Sequence, residues 1–99
     1  LQERRRTRHA RLVEAIEALY PYRLAEQVER LAHHAMRGEV WDKAAAYCRQ
    51  AGAKAYDRGS LREAVTSYEQ ALDALGHTED AKALRERYGV GSSDDSMRP

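Results

Sequence analysis

Two adjacent histidines, His33 and His34, are the residues whose type points most directly to chemistry, because imidazole nitrogens bind transition metals and transfer protons. Adjacent side chains on a helix point about 100° apart and do not face each other. The two rings therefore cannot bind one ion from a single helix face. We expect no metal site, with one ring packed against a neighbouring helix and the other in solvent.

A second candidate for chemistry is the single cysteine, Cys48, which lies among apolar residues at helical spacing. A thiol in such a position is typically buried and unreactive. The sequence contains no glycine-rich or lysine-containing phosphate loop. Several glutamates fall on polar helix faces near arginines, where weak ion pairs are their ordinary role: Glu14, Glu17, Glu26 and Glu29. We therefore predict no catalytic residue, no cofactor and no enzymatic activity in this chain.

Five arginines near the start form the most biased cluster of the chain: Arg4, Arg5, Arg6, Arg8 and Arg11. On a helix, Arg4, Arg8 and Arg11 share one face, which suits contact with nucleic-acid phosphates. No aromatic residues interleave with them, and Glu3 and Glu14 flank them, so a solvated helix end accounts for the cluster as well. We retain nucleic-acid contact through residues 4–11 as a less favoured alternative.

The overall composition favours neither nucleic acid nor membrane. Charged residues make up 33% of the 99 residues, yet they nearly cancel to a formal net charge of +1. No apolar stretch approaches the roughly 20 residues that a membrane-spanning helix needs. One cysteine allows no internal disulfide, which favours a reducing, cytoplasmic setting. We interpret the chain as a piece of a longer protein, because it opens with Leu1 and ends in a polar run.

The elements that must position these residues are helices, because apolar residues recur at helical spacing from end to end and nothing alternates with the period of a strand. The first run consists of Leu12, Ile16 and Leu19. Residues that end helices follow the five runs: Pro21, Gly38, Gly59, Gly76 and Gly89. Short connections make successive helices antiparallel. The pattern predicts an all-α domain of about five helices over residues 1–89 and a disordered polar tail over residues 90–99.

Two helix starts have recognisable caps. Ser60 and Glu63 have the S-x-x-E spacing of a capping box, in which the two side chains bond to free backbone N–H groups at the start of the fourth helix. Thr78 is a candidate cap for the fifth helix.

The segment from Gly59 to Leu72 contains a more specific pattern: Gly59 at a turn, Leu61 opening the next helix, and Ala64, Tyr68 and Ala71 as small, aromatic and small core residues. It closely resembles the second half of a tetratricopeptide repeat. The preceding helix matches the first half in degenerate form through Cys48, Ala51, Gly52 and Ala55.

A second copy of the pattern begins about 20 residues earlier, although the family repeats every 34 or so. Its core positions are Val28, Leu31, Ala32 and Ala35 on one helix and Trp41, Ala44, Cys48 and Ala51 on the next. Its turn glycine, Gly38, is one residue early. The long helix from about Val40 to Arg58 then belongs to both copies and has to pack on two sides, which its small residues suit.

Residues 24–75 as a whole look like the helical-repeat region of large bacterial signalling proteins, especially in Leu31-Ala-His-His34, Trp41-Asp-Lys-Ala44 and Arg49-Gln-Ala-Gly-Ala-Lys-Ala55. In those proteins the repeats accompany an ATPase module and a class III adenylate or guanylate cyclase or a DNA-binding regulator domain. The resemblance implies antiparallel hairpins stacked as a short right-handed solenoid, which is a scaffold that binds protein segments in signal transduction. The alternative is a fragment of a cyclase or ATPase whose activity lies in other domains.

The resemblance also implies a binding groove, because the first helix of each hairpin lines the concave face of such solenoids. The groove residues would be Glu26, Glu29, His33, Met36, Arg37, Arg49, Tyr56 and Asp57, with Ala53 between them. They suit a partner helix or extended peptide, although any amphipathic helix also has a solvated face of this kind. Apolar ends of a short solenoid further predict self-association as a homodimer.

Overall fold

The computed structural model describes residues 2–78 together with residues 83, 86 and 87. It contains α1 (Gln2–Leu19), a 3₁₀ turn (Leu24–Gln27), α2 (Val28–Arg37), α3 (Trp41–Asp57) and α4 (Leu61–Leu75). No strand occurs among the described residues, so the predicted all-α class is confirmed for them. The predicted second helix is divided into the 3₁₀ turn and α2. The predicted fifth helix and polar tail fall almost entirely outside the described residues.

Consecutive helices are neighbours: α1 packs on α2, α2 on α3, and α3 on α4. The start of α2 lies beside the end of α3, because Lys54 Nζ is 3.1 Å from the Glu29 carboxylate and 3.1 Å from the Ala25 carbonyl oxygen. The start of α1 lies beside the end of α2, where His9 contacts His34. Both pairs therefore run antiparallel, as the short connections predicted.

The core is built mainly from small side chains, and α3 supplies most of them. Buried residues of α3 cover a broad sector of its surface, because α2 packs on one side of the helix and α4 on the other. The buried apolar residues are Val13 and Ile16 of α1, Val28, Leu31, Ala32 and Ala35 of α2, Ala44, Ala45, Tyr47, Cys48, Ala51 and Ala55 of α3, and Ala64, Ala71 and Ala74 of α4. The alanines among these residues let the helix backbones approach closely.

The turns at each end of α3 repeat one backbone pattern. The hydrogen bonds Gly38 N to His34 O, Glu39 N to Met36 O and Val40 N to Ala35 O recur, 20 residues later, as Arg58 N to Lys54 O, Gly59 N to Tyr56 O and Ser60 N to Ala55 O. The middle residue of each turn is left-handed, with φ of 58° at Glu39 and 83° at Gly59. Glycine adopts this conformation without strain, whereas other residues pay about 1–2 kcal/mol.

This equivalence explains why Gly38 is one residue early in the repeat pattern. Its conformation is right-handed, with φ of −84°. A methyl group there would lie 2.6 Å from the Ala10 backbone nitrogen. Gly38 is therefore needed for the close contact between the end of α2 and α1, and Glu39 takes the left-handed position.

The predicted capping box does not form, although α4 does begin after Ser60. The Ser60 side chain makes no capping hydrogen bond. Glu63 instead forms an ion pair with Arg58, across the turn. A charge-assisted pair with Arg58 replaces the bond that Glu63 would have made to the cap backbone. Thr78 Oγ1 donates to the Leu75 carbonyl oxygen at 2.9 Å, so it bonds to the end of α4.

The buried face of α1 differs from the predicted one. Leu19 and Leu12 are exposed, and Val13 joins Ile16 in the core. Glu17, predicted to lie on a solvent face, is half-buried and accepts hydrogen bonds from Lys43 Nζ at 2.7 Å and from the Tyr47 hydroxyl at 2.5 Å. The reason is that α1 contacts α3 as well as α2. The spacing of apolar residues in α1 does not indicate which of its residues face α3.

Two predicted core residues of α4, Leu61 and Tyr68, lie largely outside the core. Tyr68 contacts α3 through its ring, which covers Gly52. The small stripe of α4 faces α3 instead, because small residues permit the closer helix approach. No helix among the described residues has the length and apolar character required to cross a membrane.

Replacing Gly38 with alanine should lower the free energy of unfolding by about 1–3 kcal/mol, because the added methyl group meets the α1 backbone rather than a movable side chain. Gly76→Ala is the matched control. Gly76 is also right-handed, with φ of −67°, and a methyl group there would have its nearest contact at 3.3 Å. Urea unfolding of both variants checks the prediction. Equal stability of the two would show that α1 does not approach α2 as described.

Candidate functional site

An open cleft of about 320 Å³ lies across α2, α3 and α4. Its α2 wall consists of Glu29, Ala32, His33, Met36 and Arg37, its floor includes Ala51 of α3, and its α4 wall consists of Ser67 and Gln70. Because the floor residue is an alanine, α3 is set back between longer side chains on either side. We call this surface the α2–α4 cleft.

A second cleft of about 420 Å³ continues from the first toward α1. Met36 and Arg37 line both clefts, so the two form one surface with these residues in the middle. The second cleft is completed by Gln2, Glu3, Arg5, Arg6 and His9 of α1 and by Glu39 of the turn. We call this part the α1 extension.

The eight predicted groove residues divide into two groups. Glu29, His33, Met36 and Arg37 line the α2–α4 cleft together. The other four do not line it: Glu26 lies on the 3₁₀ turn, Arg49 and Tyr56 are exposed on α3, and Asp57 lines a separate shallow cleft with Ala25, Val28, Gln50, Ala53 and Lys54.

The helix period explains this division. At about 100° per residue, Arg49 and Tyr56 point roughly 150° away from Ala51 around the axis of α3. Ala51 faces the cleft, so the predicted α3 residues face away from it. The prediction assumed that α3 would present its polar face to the same groove as α2. Instead α3 is covered there and α4 provides the opposite wall.

Ser67 and Gln70 were missed as cleft residues. A signal for Ser67 was present, because it continues the small stripe of Ala64, Ala71 and Ala74 at spacings of three and four residues. A serine within such a stripe marks the edge of a helix contact where a polar group still reaches solvent. Gln70 has no comparable signal, although its side-chain oxygen lies 3.9 Å from the Cys48 sulfur at the border of the core.

A contact between two histidines stands where the α1 extension begins. His9 Nδ1 and His34 Nδ1 are 2.8 Å apart, a hydrogen-bond distance. The exposed His33 ring lies close to both, with centroids 6.0 Å from His9 and 4.9 Å from His34. His34 is thus the ring that packs against a neighbouring helix and His33 the one in solvent. The sequence offered no means of finding His9, because helix pairing brings it there.

This histidine cluster is arranged for hydrogen bonding rather than for metal binding. The ring centroids of His9 and His34 are 5.0 Å apart, which is close to the largest separation that two imidazoles with a 2.8 Å contact can have. The two nitrogens therefore face each other, and their lone pairs do not converge on a third point. Within the described part of the chain, no group of three or more histidine, cysteine, aspartate or glutamate side chains could hold a metal ion.

Burial and neighbouring positive charges lower the pKa values of His9 and His34. Burial is the larger cause for each ring. His33 and Arg37 add electrostatic repulsion to both, with Arg8 acting on His9 and Arg30 on His34. The hydrogen bond requires one protonated and one unprotonated Nδ1, so two imidazolium rings cannot form it.

Ion pairs neutralise part of the charge on this surface. Arg6 pairs with Glu3 and, at 3.4 Å, with Glu39. Glu29 pairs with Lys54 at 3.1 Å and with Arg58 at 4.0 Å.

Two arginines of the α2–α4 cleft and its α1 extension, Arg5 and Arg37, form no ion pair with any described residue. The continuous surface therefore has two guanidinium groups available for an anionic ligand group.

The sequence also pointed to Cys48 and to the arginines of α1 as candidate sites. Cys48 is fully buried, and burial raises the pKa of its thiol, which disfavours the nucleophilic thiolate. Arg4, Arg8 and Arg11 do share a face of α1, where they line a shallow open surface with Glu3 and Thr7. This arginine face is separate from the α2–α4 cleft.

A polar cluster of Glu17, Lys43 and Tyr47 joins α1 to α3, and none of its residues lines the α2–α4 cleft. Burial and the hydrogen bond to Glu17 raise the pKa of Tyr47 to about 12. Burial raises the pKa of Glu17, but hydrogen bonds from Lys43 and Tyr47 outweigh it and hold the pKa below its usual value. At ordinary pH the cluster thus combines an ionised Glu17 with a neutral Tyr47.

No protein-family model, curated protein or solved structure matches this chain.

Acidification should weaken the fold through His9 and His34. Their pKa values are lowered in the folded state, so the unfolded chain binds protons first as the pH falls below about 6.5. The stability contributed by the neutral pair is complete above that pH and is lost as the pH falls toward the folded pKa values. Urea unfolding at about pH 7.5 and about pH 5.5 measures the effect.

A His9→Gln/His34→Gln double variant serves as the comparison. It should lose most of the pH dependence between these two values, because glutamine does not titrate. A double variant with the same pH dependence as the parent chain would assign the effect to other groups.

Proposed function

We propose that this chain is a non-catalytic protein-interaction module of the tetratricopeptide type, and that it binds a polypeptide segment along the α2–α4 cleft and its α1 extension. The observation that supports this most is the continuity of the two clefts through Met36 and Arg37. A small molecule needs an enclosed pocket, whereas an open surface crossing three helices suits an elongated ligand.

The lining indicates what such a segment would contain. Ala51 on the floor and Ala32 and the half-buried Met36 on the α2 wall provide apolar contacts, and thioethers adapt to differently shaped side chains. Ser67 and Gln70 offer hydrogen bonds along one wall. Arg37 and Arg5 are cations without an ion-pair partner among the described residues. We infer a ligand with one apolar anchor over Met36 and a carboxylate near Arg37.

The tetratricopeptide assignment is supported by the repeated turns and by the position of α3. The backbone pattern at residues 34–40 recurs at residues 54–60, and α3 packs between two neighbours. Nearest-neighbour packing of antiparallel helices is the property from which solenoids are built. We propose a short right-handed solenoid on these grounds.

The parent protein is proposed from the sequence resemblance alone. It would be a large bacterial signalling protein in which this module is a scaffold beside ATPase and cyclase or regulator domains. A purely enzymatic reading, in which the chain is a fragment of a cyclase or ATPase, places all catalytic groups in those other domains.

Selection from a displayed library of random peptides against the 99-residue chain tests the proposal, with binding of the selected peptides measured by fluorescence anisotropy. We expect enrichment of peptides that combine aspartate or glutamate with an apolar residue. Arg37→Glu should weaken their binding by about tenfold or more, because a carboxylate at a charged contact would then face a like charge.

Arg49→Glu is the matched control, since it makes the same charge change on the face of α3 away from the cleft. It should leave binding unchanged within about twofold, because the charge is distant and screened. Equal loss in both variants would show that net charge governs binding. Loss only in Arg49→Glu would place the binding face on the outer side of α3.

A further inference from the structure

The apolar residues of α4 are divided between two stripes of different size. The small stripe of Ala64, Ser67, Ala71 and Ala74 faces α3. A second stripe carries the large residues and is exposed: Leu61 (60%), Val65 (55%), Tyr68 (39%), Leu72 (69%) and Leu75 (52%). We call this second stripe the α4 seam.

The spacing of the α4 seam is that of a coiled-coil interface. Its residues follow one another at intervals of four, three, four and three, which are the alternating d and a positions of a heptad. Leu61, Tyr68 and Leu75 take the d positions, and Val65 and Leu72 take the a positions. Such a seam buries its side chains against one partner helix.

The corresponding stripe of α3 shows what this position normally contacts. Subtracting 20 from each seam position gives Trp41, Ala45, Cys48, Gly52 and Ala55, and α4 packs against this side of α3. On α3 these residues are buried, apart from Trp41, which is half-buried and stacks on His77 with ring centroids 4.1 Å apart. The equivalent stripe on α4 therefore has the pattern of a covered surface.

The charged residues beside the α4 seam would pair with each other if two copies of the chain were related by a twofold axis. Arg62 and Glu69 occupy e positions along one edge, and neither forms an ion pair with a described residue. In an antiparallel helix pair the e positions of the two copies face each other. An axis between Val65 and Tyr68 brings Arg62 of each copy beside Glu69 of the other. A parallel pair would bring these charges beside Ala64 and Ala71.

We propose that the α4 seam binds a second copy of this chain, forming an isologous dimer with antiparallel α4 helices and two Arg62–Glu69 ion pairs. This interface is separate from the α2–α4 cleft, so the dimer and the proposed peptide binding are tested independently.

Light scattering and sedimentation velocity on the 99-residue chain test the proposal. We expect a dimer that dissociates on dilution. Leu72→Glu should raise the dimer dissociation constant by about tenfold or more, because a carboxylate would be buried without a partner. Leu19→Glu is the matched control: Leu19 is 71% exposed but lies on α1, and the variant should dimerise like the parent.

The ion pairs provide a second test that does not alter the apolar seam. Arg62→Glu should weaken the dimer, and the Arg62→Glu/Glu69→Arg double variant should restore it. Circular dichroism should show unchanged helix content throughout, since these residues are exposed in one chain. A monomer at high concentration, a dimer unaffected by Leu72→Glu, or equal weakening by Leu19→Glu would overturn the proposal. So would failure of the charge-reversed double variant to recover.

Discussion

The close approach of α2 and α4 to α3 is the constraint on which the rest of the structure depends. Most α3 residues facing a neighbour are small. Gly52 leaves room for the Tyr68 ring of α4, because a methyl group there would lie 3.0 Å from that ring. Packing at this distance favours dispersion contacts between backbones and short side chains. It also favours mainly small residues on the α4 face toward α3, whereas α2 contributes Val28 and Leu31 beside its alanines.

Both candidate surfaces follow from this constraint. Ala51 forms a recessed floor between α2 and α4, so the longer side chains of Met36 and Gln70 stand above it as walls. On α4 the requirement for small residues against α3 leaves the larger ones, such as Leu72, pointing outward. The α2–α4 cleft and the α4 seam are therefore two results of the same close helix packing. On the other side, α1 packs through the buried Val13 and Ile16, through the close contact at Gly38, and through the polar contacts of His9 and Glu17.

Local sequence signals predicted where α1 to α4 end, because Pro21, Gly38, Gly59 and Gly76 each follow the last turn of a helix. Gly59 marked a left-handed turn, and the alanines of α3 indicated a helix packed on two sides. The capping box was wrong because Arg58, just outside the helix, pairs with Glu63. Leu61 and Tyr68 were placed in the core because they match the large and aromatic positions of the repeat. In the structure Leu61 is exposed, and Tyr68 is partly exposed with its ring over Gly52 of α3. His9, Glu17 and Gln70 depend on how helices pair, and no local pattern contains that information. Arg49 and Tyr56 were assigned to the groove because α3 was taken as the first helix of a hairpin, but the rotation of α3 turns them away from the α2–α4 cleft.

The central claim is that a polypeptide segment lies over Ala51 between α2 and α4. Two-dimensional amide NMR of the 99-residue chain, with and without a selected acidic peptide, tests it most directly. We expect chemical-shift changes concentrated at residues 32–37, at Ala51 and at residues 67–70, with little change at Arg49 and Tyr56. Changes concentrated on the outer face of α3 or along Arg4, Arg8 and Arg11, with the cleft residues unaffected, would contradict it.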